Sequence, residues 1–336
     1  MRTLVSGPAC CTWILFVLLV PNCQGGQGRL FELRGSLLDN MGRPFHGGNV
    51  SMQLSQPNGP VAFRTVADSK GRFKFKKIPA GIYVLSAVVP RLSRTKRTIE
   101  IGPSFADHKG RIETSLQIKP RPPRAAFFQV TADQLSVPES ARADFEKARQ
   151  RANARDWREA AQLLRNALQT APQFSAAWYE LGLIDSHEGR YLEAADDFRE
   201  ALRHQPEYYL AVISLGGVLL AQGNVTEANP VNERAVRMRP DDELAHAQLG
   251  YGYLLAGRLA EAETHLKRTI ALDPAHYFYP QILLADIYRR RNNPAAEAHQ
   301  LEEFLRLHPD SEKARDVAAV LKQLRSELEN AGTSGP

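Results

Sequence analysis

The chain has 336 residues, 43% of them apolar, and a formal net charge of +6. That is enough material for two domains with their own cores, and it excludes a disordered or low-complexity chain. Its three cysteines, Cys10, Cys11 and Cys23, all fall near the start, so a chain cut after Cys23 has no disulfide, no thiolate nucleophile and no cysteine metal site.

Residues 1–26 read as a signal peptide: Arg2 gives a sparse positive start, Thr12 to Val20 is an apolar core, and Pro21 to Gly28 is small, polar and helix-breaking. The apolar run is well short of the roughly 20 residues that span a bilayer core. Val20, Pro21 and Asn22 are not the small residues that precede a lipidated cysteine, so anchoring at Cys23 is not expected. An exported location is expected (periplasmic, cell envelope or secreted), and a thiol-free mature chain suits an oxidising compartment.

From Arg29 to Lys119 apolar and polar residues alternate between Gly and Pro turns, the period of half-buried strands. Strands are predicted at Phe31 to Leu37, Asn49 to Leu54, Ala62 to Ala67, Arg72 to Phe75, Tyr83 to Val89, Thr95 to Ile101 and Ile112 to Ile118. This number of short strands points to an all-β sandwich. Asp39, Asn40 and Gly42, and then Asp68, Ser69, Lys70 and Gly71, have the chemistry of tight turns.

Gly35, Asp39, Gly42, Pro44 and Gly47 match the opening motif of the carboxypeptidase regulatory-like family, and Thr65, Asp68, Gly71, Phe73, Phe75, Pro79, Ala80, Gly81 and Tyr83 match its second half. Residues 29–119 therefore resemble that transthyretin-like β-sandwich. The resemblance implies a noncatalytic accessory module, and no zinc-peptidase motif accompanies it. The fold is shared with carbohydrate-binding domains, which implies glycan or envelope-polymer binding as an alternative role. Against it, Phe31, Phe45, Phe63, Tyr83 and Phe105 are mostly needed as core.

Residues 120–138 form a Pro-rich linker, with Pro120, Pro122 and Pro123 close together. Beyond it the apolar period becomes that of amphipathic helices. Pro172, Pro206, Pro240 and Pro274 recur at one interval of 34 residues, which is the spacing of a helix-pair repeat.

Trp178, Leu181, Gly182, Ala194, Phe198, Ala201 and Pro206 match the tetratricopeptide repeat consensus. The same positions give Ala160, Ala167 and Pro172 in the preceding copy. They give Leu215, Gly216, Ala228, Ala235 and Pro240 in the next, then Leu249, Gly250, Tyr253, Ala262 and Pro274. A degenerate fifth copy carries Leu284, Ala285, Tyr288 and Pro309 after one inserted residue, with Glu297 where Ala is usual. The fold class is thus a β-sandwich followed by an all-α superhelical solenoid: five helix pairs over 139–309 and a cap helix over 310–330, drawn from Ser311 to Glu329.

Val317, Val320, Leu321, Leu324 and Leu328 are expected to face inward on the cap helix. Asn229, Pro230 and Asn232 interrupt the third copy, so a kinked or late-starting helix is expected there.

The resemblance implies a protein-binding scaffold whose first helices line a concave face. Carried over residue by residue, that face comprises Arg142, Phe145, Arg149, Tyr179, Leu183, Ile213, Leu220, Tyr251, Leu254, Ile282, Asp286 and Arg289. Tyr179, Leu183 and Ile213 stand where carboxylate-clamp members carry Lys, Asn and Arg, so a chaperone-tail receptor is not implied. A purely structural role for Tyr179 and Tyr251 is the competing reading.

Charge divides with the domains: residues 29–119 hold 16 basic and 6 acidic side chains, whereas residues 133–336 hold 24 basic and 31 acidic. Arg72, Lys74 and Lys76 alternate along one strand, and with Arg91, Arg94, Lys96 and Arg97 they form either a solvated outer face or a candidate basic surface for an anionic envelope polymer, a lipid headgroup or the acidic helical domain. Nucleic acid is not an expected partner.

Catalytic chemistry finds no foothold. None of the nine histidines lies in a His-Glu-x-x-His or His-x-His arrangement, and neither a Gly-x-Ser-x-Gly elbow nor a phosphate-cradling Gly-rich loop occurs. His265, His299, Asp196 and Asp197 read as surface groups on helices. No enzyme activity, cofactor or metal is expected.

Overall fold

The computed structural model describes residues 29–46, 50–57, 61–89, 93–118 and 137–333. The expected signal peptide, Arg91 and nearly all of the expected linker lie outside the described residues.

Seven strands form the first domain: β1 (Phe31–Leu38), β2 (Ser51–Ser55), β3 (Val61–Val66), β4 (Arg72–Ile78), β5 (Gly81–Val89), β6 (Ser93–Ile101) and β7 (Arg111–Gln117). They make a three-stranded sheet, β4-β1-β7, and a four-stranded sheet, β3-β2-β5-β6. β1 runs antiparallel to β4 and parallel to β7.

Alternation puts Leu33, Leu37, Phe73, Phe75, Ile112 and Leu116 of one sheet into a single core with Met52, Leu54, Leu85 and Ile99 of the other. Full burial of each such side chain contributes about 1.5–3 kcal/mol. A Cβ on Gly35 would lie 2.3 Å from the Phe73 ring, so the absence of a side chain there is what lets β1 carry that ring.

Three Asp-x-x-Gly turns hold the strand ends. Asp39, Asp68 and Asp107 each accept backbone N–H groups two and four residues on, and Gly42, Gly71 and Gly110 close the turns at positive φ. Those hydrogen bonds hold all three carboxyls below the usual aspartate range. Two of the turns were expected from sequence; the one at Asp107 was not.

The second domain is five antiparallel helix pairs and a cap: α1 (Glu139–Asn153) with α2 (Trp157–Thr170), α3 (Ser175–His187) with α4 (Tyr191–His204), α5 (Tyr209–Ala221) with α6 (Val225–Met238), α7 (Glu243–Leu255) with α8 (Leu259–Leu272), α9 (Pro280–Arg290) with α10 (Pro294–Leu307), then α11 (Ala314–Thr333). Small residues let each pair close: a Cβ on Gly182 would stand 2.8 Å from the Phe198 ring, and one on Gly250 2.9 Å from Leu266.

The turn inside each pair needs one left-handed residue. Gly189, Gly223 and Gly257 supply it in the middle repeats, Arg155 and Asn292 in the outer two. Asp156, Asn224 and Asn293 cap the helices that follow.

Two expectations need correction. The late start is not seen: α6 begins at Val225 and continues through Pro230, an exposed residue inside the helix. On α11, Val317 and Leu321 are buried but Val320 is 46% exposed, because the cap covers α10 with one narrow stripe.

The two domains touch along the outer side of β6, an edge strand. Lys96 pairs with Glu243 at 2.7 Å and Asp242 at 3.7 Å. The Thr98 N–H donates to Asp273 at 3.0 Å, His308 Nδ1 stands 3.1 Å from Glu100, and the Ser104 N–H and hydroxyl donate to Asp310. Alternate residues of β6 thus meet successive inter-repeat turns, and helical turns cover an edge that would otherwise offer unpaired N–H groups.

Candidate functional site

The first helices of the pairs lie inside the solenoid and the second helices outside. α5 and α7 are apolar nearly all round, while α2, α4 and α6 bury one stripe. Inner helices also touch one another, α3 with α5, α5 with α7 and α7 with α9. This contact decides which side chains remain accessible on the inner face.

Over the first three repeats a strip stays open. Phe145 of α1 packs against Phe174 at 4.8 Å between ring centroids, and Tyr179 of α3 packs against Tyr208 at 5.1 Å. Both Phe145 and Tyr179 are partly buried, Leu183 is 36% exposed, and Leu210 at the start of α5 is 43% exposed. Burial, chiefly, pushes the Tyr179 hydroxyl up to about 12, against the opposing influence of Ser214.

Arg142 and Arg149 are exposed on α1, and Arg149 reaches Glu146 at 3.4 Å. Glu180, beside Tyr179, is half-buried, and burial raises its carboxyl above the usual range against the pull of Arg149. Glu180, Tyr208, Leu210 and Ser214 were not singled out in the sequence. The signal for Glu180 was its place directly after an expected groove residue on the same helix.

The other half of the expected groove is closed. Ile213, Leu220, Tyr251, Leu254 and Asp286 are all buried, so these five are corrected from groove lining to interior. Packing between inner helices covers Ile213, Leu220 and Leu254, and Phe278, from the longer fifth-repeat turn, lies 6.0 Å from the Tyr251 ring. Ile282 packs partly buried against the cap-helix cluster, and Arg289 is committed to Asp286.

The seven expected basic residues do not form one surface, because β4 and β6 lie in different sheets. Lys74 and Lys76 are exposed on β4, while Arg72 pairs with Asp68 at 2.8 Å. Lys96 is spent in the domain contact. Arg97 is exposed and directed at the Ser115 carbonyl, and the side chain of Arg94 lies outside the described residues.

Among the described residues one group has the composition of a metal site: Glu243, Asp273 and His276 bring ligand atoms within 4.8 Å of one another. The Lys96 ammonium already supplies a cation at Glu243. His276 Nδ1 accepts the Phe278 N–H at 3.2 Å, so the neutral ring carries its proton on Nε2 and offers no lone pair there. Burial, then Lys96 and His308, push His276 down to about 3. The cluster reads as the socket for Lys96.

Asp197 corrects another expectation. It is buried beside Asp185, and burial followed by that neighbouring charge pushes its carboxyl up to about 8. His265 is likewise half-buried, with its Nδ1 2.9 Å from Nδ1 of His246, whose Nε2 faces the Pro240 carbonyl. Both pairs join the two helices of one repeat, Asp185 and Asp197 across α3 and α4, His246 and His265 across α7 and α8, and neither faces the open strip.

Residues 145–185 and 187–243 match the tetratricopeptide repeat family model. No curated protein matches the chain. Among solved structures, MamA from Desulfovibrio magneticus RS-1, from residue 41 to its end, is 20% identical with a TM-score of 0.50, covering 53% of this chain and 99% of that one. A tetratricopeptide repeat protein from Parabacteroides merdae ATCC 43184 is 16% identical with a TM-score of 0.50, covering 58% and 77%. At these identities the likeness shows the fold alone: the chain carries tetratricopeptide repeats behind an N-terminal β-sheet region.

Proposed function

We propose that this repeat-bearing chain is an exported, noncatalytic scaffold that holds an extended segment of a protein partner along the inner face of its first three repeats. The supporting observation is the open strip of Phe145, Tyr179, Leu183 and Leu210, apolar and aromatic on three successive inner helices. An exposed row of this kind marks an interaction surface, and a solenoid of stacked pairs presents it as one continuous groove.

The β-domain is the accessory module, held against the acidic helical domain by Lys96, Thr98, Glu100 and Ser104. Export rests on the composition of residues 1–26 and is checked by mass spectrometry of the mature chain, which should begin after Cys23. Glycan binding by the β-domain has less support. Phe31 and Tyr83 are core, Phe45 and Phe63 pack on it, and Phe105 alone of the five is strongly exposed.

The test is cross-linked capture from envelope fractions with the full chain and a Leu183→Asp, Leu210→Asp double variant. The wild type should enrich a specific protein and the double variant should lose it while keeping its thermal melt. Equal capture by both would remove the inner face from the account.

A further inference from the structure

The third repeat closes on different side chains from its neighbours. Phe198 stands over Gly182 in the second repeat and Leu266 over Gly250 in the fourth, but in the third Asn232 stands over Gly216. Asn232 is fully buried, and neither its amide oxygen nor its amide nitrogen has a hydrogen-bond partner among the described residues. The other buried residues of α6 are Ala228, Asn229 and Ala235, while Val231 and Val236 pack partly buried. By contrast α2, α4, α8 and α10 each bury at least one Leu or Phe.

Two more amides continue the seam towards the fourth repeat. Asn229 is buried with an unpartnered Oδ1 in the space that a side chain on Gly252 of α7 would fill, and its Nδ2 reaches the Gly252 carbonyl at 3.4 Å. Gln248 of α7 is buried over Gly217 of α5 with its Oε1 unpartnered. Three amides thus lie between α5, α6 and α7, each against a glycine.

Opening the other outer helices uncovers a large apolar side chain, which opposes the motion. Separating α6 uncovers alanines and half-covered valines, and it returns the orphaned amide atoms to water, which offsets part of the cost. Pro230 also withholds one N–H from the same helix. The open strip, on α1, α3 and the start of α5, lies before this seam. The contacts of Lys96 with Glu243, Thr98 with Asp273, Glu100 with His308 and Ser104 with Asp310 all lie beyond it.

We propose that α6, with its amide seam, is a joint in the solenoid. It opens locally while α4 and α8 stay folded, and so frees the strip-bearing repeats from the two that the β-domain braces. In a regular array the ends fray first and the central repeat is best protected. The joint reverses that order.

Hydrogen exchange on the full chain, followed peptide by peptide with mass spectrometry, tests it. Peptides from α6 should exchange roughly tenfold faster than those from α4 and α8. Asn232→Leu gives the third repeat the side chain that stands over Gly250 in the fourth, and it should bring α6 to the rate of its neighbours. Gln248→Met, which removes one orphaned amide at nearly constant length, should slow α6 by a smaller factor and serves if Asn232→Leu fails to fold.

Exchange of α6 as slow as that of α4 and α8 in the wild type overturns the joint without needing any variant. Fast exchange of α6 that persists in a folded Asn232→Leu or Gln248→Met chain overturns it too, since the amides would not be the cause.

Discussion

The first two repeats and the last two are built on the same consensus, yet their inner helices end in opposite conditions. On α3 the positions at Tyr179 and Leu183 reach solvent, whereas on α7 every residue from Ala245 to Leu254 is buried. The difference lies in what each helix is given to touch. α7 has Phe278 over Tyr251 and a β-domain anchored at its N-terminal end through Glu243. A repeat position is therefore a place on a helix, and its neighbours decide whether that place binds a partner or fills a core.

The contrast breaks most severely where the shared packing is removed. Phe198 is fully buried against Gly182, and Phe198→Ala should cost about 3–5 kcal/mol, read as a lowered midpoint in chemical denaturation. It should disturb the open strip as well, since the Tyr179 ring lies 5.8 Å from Phe198.

At the closed end, Asp273→Ala strands the buried Thr98 N–H without its acceptor, a loss of about 1–3 kcal/mol. It should show as faster hydrogen exchange along β6 with little effect at α3. Protection of β6 unchanged would mean that the domains are held by something other than this row of contacts.

At the turns the comparison runs in the opposite direction. Arg155 stands at φ 63° where the middle repeats have Gly, so Arg155→Gly should raise stability by about 1 kcal/mol, while Gly189→Ala should lower it by a similar amount. Matched thermal melts check the pair.

A further expected effect depends on pH. Asp197 keeps its proton up to about 8 in the folded protein and only to about 4 in an unfolded chain. Folding binds a proton across that window, so this contribution is fully present below about 4 and is lost as pH rises towards 8. Asp197→Asn should flatten that decline, shifting the melting temperature by a few degrees at pH 8. An identical slope in the variant would locate the titration elsewhere.

Much of this architecture was legible because local chemistry carried it. The Asp-x-x-Gly turns at Asp39 and Asp68 satisfy their own backbone, and the interval between Pro172 and Pro274 marks helix ends that no distant contact could move. Missed features depend on approach between distant segments. Nothing near Lys96 in the chain announces Glu243, and nothing near Asp197 announces that Asp185 will share its burial. Of the expected groove, Tyr179 is partly open and Tyr251 is buried, since both occupy inner helices while Phe278 shields only the second.

The sequence by itself determined the division into a strand domain and a helical domain, the five-copy period, and the small residues at Gly35, Gly182 and Gly250 where close approach occurs. These follow from period, turn chemistry and side-chain size, which act over a few residues. Only the tertiary structure decided which inner positions stayed open and that β6 would lie along the inter-repeat turns. Burial and charge pairing depend on everything within a few ångströms, and most of those neighbours lie far away along the chain.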